Sequence, residues 1–213
     1  MITLHTPLCD ALHIKYPIIQ AGMAGGSTTV ELIVNVCNAG GLGSLGAGYM
    51  MPNDIRKAIR DIKQQTDRPF AVNLFCAEDI INPKEMKHEH EVKNVLVGIG
   101  KNLGIKDEQI QFHTHDLFDE RFQVLIEEEV PIISTAFGIL PEDKMAAAKQ
   151  RNIKVISMVT TVKEAMIAEK AGVDVIVAQG SDAGGHRSTF DIKEHPLGAN
   201  IGTFSLIPQV VEN

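Results

Sequence analysis

A histidine that follows paired glycines at the end of an apolar run is a candidate acid–base group, and Gln179-Gly180-Ser181-Asp182-Ala183-Gly184-Gly185-His186-Arg187 supplies one. The imidazole of His186, with an ordinary pKa of about 6.5, can take or give a proton near neutral pH. Gly184 removes side-chain bulk, so that a flat ligand can approach the backbone. Gln179 ends the preceding apolar run with a donor and an acceptor on one carboxamide. Asn73 carries the same pair inside Phe70-Ala71-Val72-Asn73-Leu74-Phe75. An amide buried there without partners costs on the order of 1 to 3 kcal/mol, so either a neighbouring loop or a ligand must satisfy it. Two carboxamides at strand ends suit a ring that alternates carbonyl and N–H groups. Asp182 either orients His186 or faces solvent, and Arg187 either binds an anion or pairs with a surface carboxylate.

A second glycine-rich turn, Gln20-Ala21-Gly22-Met23-Ala24-Gly25-Gly26, follows the short apolar run that begins at Pro17. Gly22 and Met23 are the expected ligand contacts, the first for lack of bulk and the second for a soft apolar surface. Gly41-Leu42-Gly43-Ser44-Leu45-Gly46 matches the dinucleotide fingerprint G-x-G-x-x-G in letters only. The fingerprint must follow a strand and open a helix, whereas here a helical pattern precedes it and Leu42 to Leu45 itself reads as a strand. His88-Glu89-His90 and His113-Thr114-His115 place alternate histidines on one face of an extended segment, but with no third ligand at a defined spacing they read as solvated loop residues. Cys9, Cys37 and Cys76 are odd in number and far apart, which fits buried small hydrophobes better than a disulfide framework or a zinc site.

These residues need elements to position them, and the pattern provides a repeat of strand then helix. Strands are expected at 17–22, 42–45, 70–75, 131–137, 154–159 and 174–179. Helices are expected from about Val30 to Cys37, with Ser27, Thr28 or Thr29 as the cap, and over 52–65, 117–128, 141–150, 162–171 and 203–211. From about 77 to 116 the repeat gives way to a polar insertion after the third strand, with a helix around 89–100. Strands apolar on both faces, alternating with amphipathic helices, call for a parallel α/β sheet, either doubly wound or a TIM (β/α)8-type barrel. A closed barrel takes about 250 residues, so this chain of 213 offers about six β/α units, an incomplete barrel within a single domain.

Composition narrows the partners. With 44% hydrophobic and 22% charged residues the chain is ordinary for a globular protein, and a net charge of −7 has the wrong sign for a nucleic-acid binder. No apolar run approaches the roughly 18 to 20 residues of a membrane span, and the N-terminus MITLHTPLCD lacks a signal-peptide layout. The expectation is a cytoplasmic protein acting on a small molecule.

Three stretches together resemble the nitronate monooxygenase family, formerly called 2-nitropropane dioxygenases, which are FMN-dependent (β/α)8 barrels: Pro17 to Gly26, Val72-Asn73-Leu74-Phe75, and Ala178 to Arg187. By that resemblance Gly22, Met23, Asn73, Gln179 and Gly184 would contact FMN, and His186 would be the active-site histidine. The resemblance implies a nitronate substrate, O2 as oxidant, and a carbonyl compound and nitrite as products. Protonated, His186 would offset the nitronate charge; neutral, it would remove the α-proton of a nitroalkane. The family usually has Glu where this chain has Asp182, and its members continue through seventh and eighth strands whose glycine-rich loops hold the FMN phosphate. Two other readings stand beside this one. A flavin-dependent enoyl-thioester reductase would share the Ala-Gly-Gly-His turn, and a non-catalytic partial barrel would be stable only as a homo-oligomer or with a complementary piece.

Overall fold

The computed structural model describes residues 4–76, 89–105 and 117–212. The chain divides into two compact units, residues 1–77 with 117–213, and residues 78–116. In the larger unit the order is α1 (Pro7–Leu12), α2 (Val30–Ala39), β1 (Gly43–Gly46), α3 (Pro52–Gln65), β2 (Phe70–Phe75); the smaller unit holds α4 (Glu89–Asn102). The larger unit resumes with α5 (Phe118–Glu127), β3 (Ile132–Ala136), α6 (Glu142–Gln150), β4 (Lys154–Val159), α7 (Val162–Lys170), β5 (Val175–Ala178) and α8 (Thr203–Glu212).

The five strands are all parallel and lie side by side in chain order, β1-β2-β3-β4-β5. A doubly wound sheet reverses its strand order at a switch point; this one never does, which is the order of a (β/α)8-type barrel. Layering agrees. Phe70, Val72 and Leu74 of β2, Ile133 of β3 and Val155 of β4 bury one face of the sheet against α2, α3, α5 and α6. Val159 and Ile176 continue that face toward Ala165 and Ala168 of α7. The opposite face carries Leu42, Ala71, Ile132 and Ile156, and these pack on Cys9 and Leu12 of α1. Helices α2, α3, α5, α6 and α7 therefore share one side, while α1 covers the N-terminal half of the other and leaves its C-terminal half for a cavity.

The expected first strand is reduced to one parallel bridge, Ile19 with Leu42. Pro17 brings no N–H to a ladder, and beyond Gln20 N, which donates to Leu42 O at 2.8 Å, the backbone leaves the sheet. The Gln20 side chain then replaces the ladder: Ser44 N donates to its Oε1 at 3.1 Å, and its Nε2 donates to Ser44 O at 3.3 Å. A carboxamide mimics a peptide group here, which frees residues 21–26 to swing over the strand end. The six-residue α1 has no counterpart in the expected elements, because a single helical turn and a half is too short for a periodic signal.

Helix ends follow local chemistry. Thr29 is the cap of α2, accepting from Leu32 N at 3.2 Å, and Gly40 closes the helix at φ 100°. Thr161 and Glu164 form a reciprocal capping box on α7. Arg56 and Arg60 of α3 reach Glu128, at 2.9 and 2.7 Å, and so tie α3 to the end of α5. Gly43, in the fingerprint-like run, lies in β1 itself: a Cβ there would stand 2.6 Å from the Ile33 carbonyl. Its role is close packing of α2 on the sheet, not approach to a phosphate. Cys9, Cys37 and Cys76 are free and buried. His90 lies on α4 rather than on an extended segment, and His88, His113 and His115 fall outside the described residues.

Candidate active site

Side chains alternate along a strand, so one face of β1 to β5 presents Ser44, Asn73, Phe75, Ser134, Ala136, Ile156, Met158 and Val177 in neighbouring register. With the loops at the C-terminal strand ends they enclose a cavity of about 580 Å³. Gly22, Met23, Asn73, Gln179, Gly184 and His186 all line it. That volume falls in the range of small-molecule sites, roughly 300 to 1,000 Å³, and its position is where parallel α/β proteins place their ligands.

The floor is polar at one point and apolar around it. Asn73 is 7% exposed, and its Nδ2 donates to Ser134 Oγ at 3.1 Å and toward Ser134 O at 3.4 Å. Its Oδ1 has no hydrogen-bond partner among the described residues, so an acceptor faces the cavity. Gly22 presses on the same side chain, since a Cβ at Gly22 would lie 2.6 Å from Asn73 Cβ. Thr28 holds this loop down: Gly46 N donates to its Oγ1 at 2.8 Å, and that hydroxyl donates to Met23 O at 3.2 Å. At the other rim a Cβ on Gly184 or Gly185 would meet nothing within 4 Å, so backbone borders open space. His186 is exposed at the mouth, its ring edge-on to Phe137 with centroids 6.4 Å apart.

Comparison with known proteins decides which family builds this arrangement. The family model for nitronate monooxygenase matches residues 5–213. The chain belongs to the nitronate monooxygenase family. A probable nitronate monooxygenase of Staphylococcus saprophyticus is 41% identical over 210 residues, covering 98% of this chain and 58% of that protein. One from Staphylococcus haemolyticus is 39% identical over 207 residues, covering 97% and 57%. Among solved structures, a nitroalkane oxidase from Streptomyces ansochromogenes superposes with a TM-score of 0.82 at 31% identity, covering 97% of this chain and 58% of that one. FabK from Thermotoga maritima superposes with a TM-score of 0.72 at 30% identity, covering 99% and 51%. The chain thus spans a little under three fifths of the curated relatives it matches.

In this member of the nitronate monooxygenase family the loop around His186 is tied by its own polar side chains. Asp182 is exposed, one of its two expected placements, and bonds to Thr203 rather than to His186. It accepts from Thr203 N at 2.7 Å and from Thr203 Oγ1 at 2.8 Å, which caps the first turn of α8. Those two bonds hold its carboxyl below the usual range. Arg187 is engaged with backbone: its guanidinium donates to Gly180 O, to Ser181 O at 2.9 Å and toward Gln179 O at 3.4 Å. Gln179 uses its carboxamide on backbone, Nε2 donating to His186 O and Oε1 accepting from Ser188 N, each at 2.8 Å. The three side chains therefore fasten the turn that carries His186.

Several lining residues gave no signal in the sequence. Tyr49, Phe75 and Phe137 form an edge-on series with centroids 5.3 and 5.1 Å apart, and aromatics in apolar runs look like core. Ser134 is unremarkable until register places it beside Asn73. Thr28, a candidate helix cap in the sequence, and Ser188 are both buried and tie the two glycine-rich turns to the strand ends.

Proposed function

We propose that the larger unit is a partial FMN-binding barrel domain and that it serves the oxidation of alkyl nitronates or nitroalkanes by O2 to carbonyl compounds and nitrite. The observation that carries this reading is the convergence of Gly22, Met23, Asn73, Gln179, Gly184 and His186 on one cavity, in a chain of the nitronate monooxygenase family.

The residues fit the isoalloxazine part of a flavin. The cavity has apolar walls from Ile156, Met158 and Val177, a bare backbone edge at Gly184 and Gly185, and the unpartnered Asn73 Oδ1 to accept from a ring N–H. Gly22, Met23, Asn73 and Gly184 would hold the ring directly. Gln179 would act mainly through the loop it fastens. Bound there, the flavin supplies the electron chemistry, and the protein supplies position and field. His186 at the mouth has two uses. With both ring nitrogens protonated it offsets the charge of a nitronate; with one unprotonated it accepts the α-proton of a nitroalkane at that nitrogen. The aromatic series of Tyr49, Phe75 and Phe137 borders the space beside it.

The test is an absorbance spectrum of the chain after incubation with FMN and gel filtration, followed by nitrite assay with alkyl nitronates. Flavin bands that co-elute with protein, and nitrite that scales with it, support the reading; colourless protein refutes the cofactor assignment. A second reading rests on the exposed Ala183-Gly184-Gly185-His186 turn, shared with flavin-dependent enoyl-thioester reductases. Anaerobic bleaching of the bound flavin by a reduced nicotinamide would favour it. No helix among the described residues is long and apolar enough to cross a membrane. We place the reaction in the cytoplasm on a small molecule.

A further inference from the structure

Of the four non-glycine residues with positive φ among the described residues, His13, Glu129, Phe137 and Asn152, Phe137 is the one that lines the cavity. This residue follows β3 with φ 66°, a left-handed conformation that a bulky aromatic adopts only where its surroundings impose it. Gly138 follows at φ 157°, and a side chain there would collide with the Cys76 carbonyl, so the turn has little room to relax. Its restraint comes from Ser188, a hydroxyl 1% exposed that accepts from Phe137 N at 2.8 Å. Ser188 belongs to the segment that Gln179 grips at His186 O and Ser188 N. The two ends of one latch thus meet: the strained turn after β3 and the loop that carries His186. Between them the Phe137 ring is wedged edge-on against Phe75, 5.1 Å away at 73°, and against His186, 6.4 Å away at 88°. The His186 ring has no hydrogen-bond partner among the described residues, so its orientation depends on this aromatic contact and on the backbone beneath it.

We propose that Phe137 is a positioning residue for His186, held in its strained conformation by the Ser188 hydroxyl so that its ring fixes the imidazole over the cavity. The proposal rests on the role given to His186 above, and its test separates the two. The full chain is labelled with 13C and 15N at histidine, and the His186 ring signals are identified by their loss in His186→Asn. Phe137→Leu removes the aromatic wedge, and Ser188→Ala releases the turn while keeping the ring. Phe137→Tyr is the conservative variant. Both disruptive variants are expected to move the His186 ring-proton signals out of the ring-current position while other histidines stay in place, and Phe137→Tyr is expected to leave them there. In nitronate turnover the expected loss is about ten- to hundred-fold in kcat with a smaller change in KM. His186 signals that stay fixed in both Phe137→Leu and Ser188→Ala overturn the proposal, whatever the turnover. Shifted signals in a chain that makes no nitrite leave the positioning role standing and refute the oxidation reading instead. Should Phe137→Leu fail to fold, Ser188→Ala and Phe137→Tyr decide.

Discussion

A methyl group added at two glycines separates the cavity's framework from its ligand face. At Gly22 the new Cβ would lie 2.6 Å from Asn73 Cβ and 3.2 Å from Asn73 Cγ. Carbon atoms rest at about 3.5 to 4.0 Å, so Asn73 or the 22–26 loop must retreat by about 1 Å. Both are anchored, the first to Ser134 and the second to Thr28. Overpacking of this kind costs about 1 to 3 kcal/mol, and for a chain of this size each kcal/mol lowers Tm by roughly 2 to 4 °C. Gly22→Ala is therefore expected to lose about 2 to 12 °C in Tm and to weaken flavin binding, because Asn73 Oδ1 is displaced. Gly184→Ala is the contrasting case: its Cβ meets nothing within 4 Å, so stability should change by less than about 0.5 kcal/mol. Yet Gly184 lines the cavity, and a methyl there obstructs the approach of a flat ring. Thermal denaturation with and without FMN, together with a fluorescence titration of the flavin, reads both effects. Unchanged FMN affinity in Gly184→Ala would refute the placement of the ring against that backbone, and an unchanged Tm in Gly22→Ala would refute the tight approach to Asn73.

Three further outcomes are expected. His186→Asn should keep any flavin spectrum and lose about 100- to 10,000-fold in nitrite production from a nitroalkane, and wild-type nitrite production would exclude His186 from the chemistry. Asp182, with its carboxyl held below the usual range by Thr203, supports α8 above the ordinary carboxylate pKa, and that support disappears as pH falls through the lowered value. Hydrogen exchange in α8 should therefore rise below about pH 4, and in Asp182→Ala it should be raised already at neutral pH. Burial pushes the Cys76 thiol up to about 12, so it should resist iodoacetamide at pH 8 until the protein is unfolded, and labelling of the native chain seen by mass spectrometry would contradict its position.

Phe70–Phe75 and Lys154–Val159 were legible to the residue, because a short apolar run between polar turns has few other ways to fold. The cap of α2 was narrowed to Ser27, Thr28 or Thr29 for the same local reason, and Thr29 is the one that accepts from Leu32 N. The strand at 17–22 misled: its composition is that of a strand, but the Gln20 side chain competes for Ser44 and ends the ladder early. Asp182 and Arg187 lie beside a histidine, yet the first bonds to Thr203 at the start of α8 and the second to Gly180 O and Ser181 O, pairings that spacing does not reveal.

The sequence by itself determined the alternation of strand and helix, the burial of the three cysteines, and the six residues worth watching at the strand ends. These depend on side-chain period, glycine placement and the cost of burying an amide, all of which are local. Tertiary structure alone decided the rest. Only strand order distinguishes a barrel-type sheet from a doubly wound one, since both have the same local pattern. Only register brings Ser134 beside Asn73, and only the closing of one turn on another sets Phe137 against His186. Such pairings join residues far apart in the chain, and no spacing of letters encodes them.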